Sequence, residues 1–167
     1  IAGRLAQLSP GAHELAGLAA TVGRVFTVEV LREASGTDTD SLTDELDELW
    51  QRRIVRATPQ QSASNPVDIS TSEPFNTRAD SFDFSHDKIR DVAYAELSPI
   101  KQGYWHLRIA RALEEIFAAN LDPVSAQLAA HYEQAGETVR AIPCYQRAAE
   151  VAQRVYAHEE AIGLLRH

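Results

Sequence analysis

The chain has 167 residues, 44% of them hydrophobic, which is enough to bury a core and suits one domain or two small ones. Its net charge of −8 argues against a nucleic-acid binder, because holding a polyanion depends on clustered Lys and Arg. The charge is spread along the chain: 9 basic against 15 acidic residues as far as Ala95, and 7 against 9 beyond it, so neither half is a basic module.

A single cysteine, Cys144, excludes an internal disulfide and the usual four-ligand zinc site, and it suits a reducing, cytoplasmic compartment. No apolar run approaches the roughly 20 residues of a bilayer span, and no basic-then-apolar leader opens the chain, so no membrane partner is expected. The absence of Met, the start at Ile1 and a helical pattern still running from Glu159 to His167 read as a fragment of a larger protein.

Ser9 and Pro10 form a cap and first-position pair that predicts a helix over about 10–22, ended by Gly23. Thr27 caps a shorter helix over 28–34, stopped by Ser35-Gly36. From Thr39 the run TDSLTDELDELWQRR puts Leu42, Leu46, Leu49 and Trp50 on one face, with Arg52-Arg53 last, and predicts a third helix. The β-branched pair in Ile54-Val55-Arg56-Ala57 suggests a short strand.

Residues 59–80 hold three prolines and many polar side chains, and are expected to form a long mobile loop. Phe82-Asp83-Phe84 then alternates as a second strand would, pairing with Ile54 to Ala57 across the loop. Three helices followed by such a hairpin is the winged-helix arrangement. Ser85 reads as the cap of a helix over about 86–97, with Ile89, Val92, Ala93 and Leu97 inward. Ser98-Pro99 starts a long helix to about Ala119, whose apolar face is Trp105, Ile109, Leu113 and Ile116.

Beyond Asn120 the pattern becomes solenoid-like, with helices near 123–134, 138–156 and from His158 onward. Leu128, Ala129 and Tyr132, then Ala141, Tyr145 and Ala148, match the tetratricopeptide spacing, in which small residues let paired helices approach and a ring fills the gap. Ser125 stands where Trp is usual, Ala129 replaces Gly and Gln153 replaces the closing Pro, so a generic antiparallel helix pair stays open beside it. The fold class is therefore mostly α: a winged-helix domain over 1–97 and a helical, tetratricopeptide-like repeat start over 98–167.

A winged helix usually directs its third helix into the DNA major groove. Here that helix carries Asp40, Asp44, Glu45, Asp47 and Glu48 against Arg52 and Arg53, and would repel phosphates. The chemically suggestive cluster is Ser85-His86-Asp87-Lys88, at a strand-to-helix junction, where backbone N–H groups and partial positive charge suit a phosphate. Ser85 and Asp87 equally suit an ordinary first turn around a structural His86. His13, His106, His131, His158 and His167 lack metal spacing and read as helix-surface or core-edge residues, and Cys144 has no neighbouring His. No GxxxxGK[ST], GxGxxG or GxSxG motif occurs, so catalysis within this chain is not expected.

The run from Phe82 to Leu97, FDFSHDKIRDVAYAEL, with Ser98-Pro99 and the later AQLAAHYEQAG from Ala126 to Gly136, resembles the region after the nucleotide-binding core in bacterial signal-transduction NTPases of the AAA/STAND type. That group includes large transcriptional regulators and proteins fused to cyclase or kinase domains. The resemblance implies the order NTPase core, winged helix, helical repeats, with this chain supplying the last two. It implies ADP or ATP in the neighbouring core, no cofactor or metal in the fragment, and two partners: the adjacent NTPase domain and a protein bound by the repeats.

In related NTPases a histidine in a Met-His-Asp motif contacts the β-phosphate of ADP. The resemblance assigns that sensing role to His86, with Asp87 as its supporting acid and Ser85 in place of Met. The expected function is a non-catalytic relay of nucleotide state. The alternatives are a tetratricopeptide-like scaffold without nucleotide sensing and a DNA-binding transcriptional regulator.

Overall fold

The computed structural model describes residues 2–58 and 81–165, so the loop expected over 59–80 lies outside the described residues. The chain is mostly helical. Its contacts divide it into two units, Ile1–Glu96 and Leu97–His167.

The first unit opens with a single turn, α1 (Ala2–Leu5), which the sequence pattern does not announce. In α2 (Pro10–Val22) the Ser9 hydroxyl accepts the Ala12 N–H at 3.2 Å, and Pro10 takes a position whose N–H needs no partner. Nearly every residue of α2 from Ala12 onward is buried, because α3, α4 and α5 all pack on it. Gly23, at φ 140°, takes a backbone conformation closed to other residues and turns the chain into β1 (Val25–Thr27).

Thr27 ends that strand and caps α3 (Val28–Ser35), its hydroxyl accepting the Val30 N–H. In α4 (Thr39–Gln51) the cap is Asp38, which accepts the Ser41 N–H at 3.0 Å. Leu42, Leu46 and Leu49 are buried as expected, but Trp50 is 47% exposed. One residue past Leu49 is a 100° rotation, which leaves the indole on the shoulder with its edge toward the Phe82 ring.

The end of α4 is a paired closure: Ile54 N–H donates to Leu49 O and Arg53 N–H to Trp50 O, both at 2.9 Å. Such a closure needs a left-handed residue between them, and Arg53 supplies it at φ 55° without being glycine. Ile54 and Leu49 are both fully buried beside it.

The next strands are β2 (Val55–Ala57) and β3 (Ser81–Phe84). They pair antiparallel with Val55 opposite Phe84, Arg56 opposite Asp83 and Ala57 opposite Phe82. The expected two-stranded hairpin gains a third member, since β1 pairs antiparallel with the other side of β3 and the order is β1-β3-β2. Phe26, Phe82 and Phe84 stack or meet edge-on where the three strands join.

Helix α5 (Asp87–Ala95) starts one residue later than the expected Ser85 cap implies. Ser85 N–H is used by Ile54 O at 2.9 Å, so that residue extends the strand pairing and the cap position passes to His86. The helix stops at Ala95, two residues short of Leu97.

In the second unit, Ser98 caps α6 (Pro99–Ile116) by accepting the Lys101 N–H. Trp105, Ile109 and Leu113 are buried as the spacing predicts. A 3-10 turn (Asp122–Val124) leads into α7 (Ser125–Gln134), whose Leu128, Ala129 and Tyr132 are fully buried. Burying a side chain the size of Leu128 contributes about 1.5–3 kcal/mol to stability.

Gly136, at φ 80°, closes α7 as Arg53 closes α4: Glu137 N–H donates to Tyr132 O and Gly136 N–H to Glu133 O. The last helix, α8 (Thr138–Leu165), is continuous where two helices divided near His158 were expected. No Gly or Pro lies between Tyr156 and Glu159 to stop it.

Candidate functional site

Asp83 sits in the central strand β3 on the face opposite Phe82 and Phe84, as the alternation predicts, yet it is only 7% exposed. Two arginines reach it. Arg56, opposite it in β2, donates from Nη2 to Oδ2 at 2.9 Å, and Arg24, between α2 and β1, places Nε 3.7 Å from Oδ1. That Oδ1 is buried and has no hydrogen-bond partner, so Arg24 acts on it through charge alone. Both arginine side chains remain more than half exposed.

Arg24 also lies 3.8 Å from Asp87 Oδ2, at the first residue of α5. Its two acidic neighbours are both beyond hydrogen-bonding length, so the guanidinium is attracted without being locked in one geometry. His86 occupies the cap position with extended backbone, φ −148° and ψ 138°, and its carbonyl accepts the Ile89 N–H at 2.9 Å. Its imidazole is exposed and makes no capping hydrogen bond, so it does not cover the first-turn N–H groups of α5.

The structure thus brings His86 and Asp87 together with three residues that the sequence reading did not single out: Arg24, Arg56 and Asp83. Two guanidinium groups balance two carboxylates. The corner therefore offers directed donors without a net positive charge. Arg56 and Asp83 could have been found by writing out the β2-β3 register. Arg24 could not, because no local pattern links it to a strand 59 residues away.

The exposed side of α4 carries Asp40, Asp44 and Asp47, and Glu45 is half-buried with its carboxyl raised by burial and by the charges of Glu14 and Asp38. Glu48 accepts the Ser9 N–H and the Arg52 Nε–H, both at 3.1 Å, which uses one of the two arginines on that helix end. His13 meets Glu96 at 3.0 Å on the surface between α2 and α5.

His106 and His131, expected at helix surfaces or core edges, are instead buried and meet Nδ1 to Nδ1 at 2.8 Å. Helix periodicity alone could not show this, since each imidazole takes an inward position that a hydrophobic residue would otherwise fill. Burial raises the Cys144 thiol, with Glu114 adding to the effect, so this is not an activated thiolate.

A cleft of about 270 Å³ in the second unit is lined by Glu114, Leu128, Arg140, Cys144 and Arg147 among others. Among the described residues no group of three or more His, Cys, Asp or Glu side chains is arranged to hold a metal ion, and no helix is long and apolar enough to cross a membrane. No family model matches the chain, and neither any curated protein nor any solved structure does.

Proposed function

We propose that this chain is a winged-helix module followed by tetratricopeptide-like hairpins, belonging to a STAND-type signal-transduction ATPase, and that it relays the nucleotide state of an adjacent NTPase core to an effector or partner. The order helix, strand, helix, helix, strand, strand, with the first strand beside the third, supports the winged-helix assignment. Leu128, Ala129, Tyr132 and Ala141, all buried on α7 and α8 around the Gly136 turn, support the repeat assignment, while Tyr145, expected as a gap-filling ring, is 45% exposed.

The observation that carries the relay is the exposed, uncapped imidazole of His86 at the start of α5, next in sequence to Asp87 and its loosely held partner Arg24. A histidine placed to pack the core would be buried, and one placed to cap the helix would bond its N–H groups. In this reading His86 touches the β-phosphate of ADP in the docked state, and exchange for ATP releases the module. A relay of this kind works only if the nucleotide states bind the docked and released arrangements differently.

The test is His86→Ala in the full-length ATPase. Basal output rises, or ADP dissociates faster. Unchanged nucleotide affinity together with unchanged basal output removes His86 as the sensor.

The cleft lined by Glu114, Arg140 and Arg147 favours a second reading, a scaffold that binds a protein partner without nucleotide sensing. A pull-down with residues 96–167 separates the two, because the scaffold keeps its partner without the first unit. DNA binding is the third reading, and the acidic surface of α4 opposes it.

A further inference from the structure

Two imidazoles from different helices of the second unit meet in its interior. His106 on α6 is 8% exposed and His131 on α7 is 5% exposed, their Nδ1 atoms 2.8 Å apart and their ring centroids 5.1 Å apart. Only one proton fits between two nitrogens at that separation. One ring therefore donates Nδ1–H, and the other accepts with its own proton on Nε2.

We propose that His106 and His131 form an acid-operated latch between α6 and α7, closed while the two nitrogens share one proton and opened when each carries its own. A first added proton goes to Nε2 of the donor ring and leaves the bond intact, while placing a cation in a buried site. A second puts N–H against N–H and two positive charges 2.8 Å apart, an arrangement that the interior cannot keep.

Several charged groups of the neighbouring elements are engaged away from the pair or lie on the surface. On α6, Glu114 faces Tyr132, while Arg111 and Glu115 lie on the exposed side. Asp122 of the 3-10 turn faces Arg147 and Arg154 of α8, and Glu133 of α7 accepts the Tyr145 hydroxyl from α8. Arg140 of α8 faces Tyr132, and Glu137 and Glu150 are exposed. The charge that bears on His131 is that of His106 itself. Burial lowers both imidazoles, and with the charge of His106 it brings His131 down to about 4.

A histidine held neutral in the folded state stabilises above its unfolded value near 6.5 and loses that contribution as pH falls toward the folded value. Between those limits the unfolding equilibrium constant of the second unit rises by about tenfold per pH unit for one such group.

Two measurements on the 167-residue chain test the latch. Imidazole nitrogen NMR at pH 7.5 should show one ring of the pair protonated at Nδ1 and the other at Nε2, with His131 staying neutral well below 6.5. Amide exchange in α6 and α7 should accelerate on acidification in the wild type and much less in His131→Gln, whose amide keeps a partner for His106 and takes no second proton. The latch is overturned if His131 titrates near 6.5, or if His131→Gln keeps the full acid slope. Should that variant fail to fold, the wild-type nitrogen titration decides alone.

Discussion

Arg56 and Asp83 stand directly opposite each other in neighbouring strands, joined at 2.9 Å, with the carboxylate buried and the guanidinium largely in water. The asymmetry sets the magnitude. A fully buried pair costs about 3–5 kcal/mol to break and an exposed one about 0–1. Asp83→Ala is expected to fall between them, at about 2 kcal/mol by urea unfolding. Arg24→Ala, whose partners lie at 3.7 and 3.8 Å, is expected to cost about 0.5 kcal/mol or less. An Arg24 effect equal to that of Asp83 would show that the looser ion pair, and not the strand pairing, holds this corner.

His86→Ala should leave the stability of the isolated chain within about 0.5 kcal/mol of wild type, because the imidazole is exposed and caps nothing. The same substitution is the one proposed to disturb nucleotide retention in the full-length protein. A clear drop in the unfolding midpoint would make His86 structural and take away the reason to read it as a sensor.

Tyr132 is fully buried, and burial together with Glu114 pushes its phenol up to about 12. Its folded value lies above the unfolded one, so its contribution is complete below pH 10 and is lost as pH rises from there toward about 12. In an absorbance titration of the five tyrosines, Tyr132 should ionise late or only with unfolding. Tyr132→Phe is expected to cost about 1 kcal/mol and Tyr132→Ala about 3–5 kcal/mol. Equal costs would mean that the hydroxyl contacts, and not ring packing, dominate.

Labelled duplex DNA titrated with the chain at low salt should show no saturable anisotropy change. Saturable binding with a steep salt dependence would contradict the argument from the acids of α4 and restore the DNA-binding reading.

Helices with a capping residue and a full apolar stripe were legible from sequence: α2 through Ser9-Pro10, α6 through Ser98-Pro99, and the inward leucines of α4. These signals are local, and several turns repeat them. β1 was not legible, because three residues carry no periodicity and Val25–Thr27 becomes a strand only where β3 offers its free edge. The start of α5 was misplaced by one residue because Ser85 is a good cap by type while its N–H is claimed by Ile54 across the sheet.

Of the candidate site, His86 and Asp87 could be picked out as neighbours in sequence. The arginines, the burial of Asp83 and the meeting of His106 with His131 all depend on which elements pack together. The Gly136 turn was readable and its twin at Arg53 was not, since only glycine advertises a left-handed backbone.

That second turn ties a distant contact to a hydrophobic one. Arg53 holds a conformation that costs a side-chain-bearing residue about 1–2 kcal/mol, and the embedded pair Ile54 and Leu49 is what offsets it. Whatever loosens Ile54 therefore frees the bend to relax, swings the heading of β2 and draws Arg56 off Asp83. The charged corner beside His86 thus inherits its alignment from Ile54, an oily residue two places before Arg56 and one whose carbonyl also holds the Ser85 N–H.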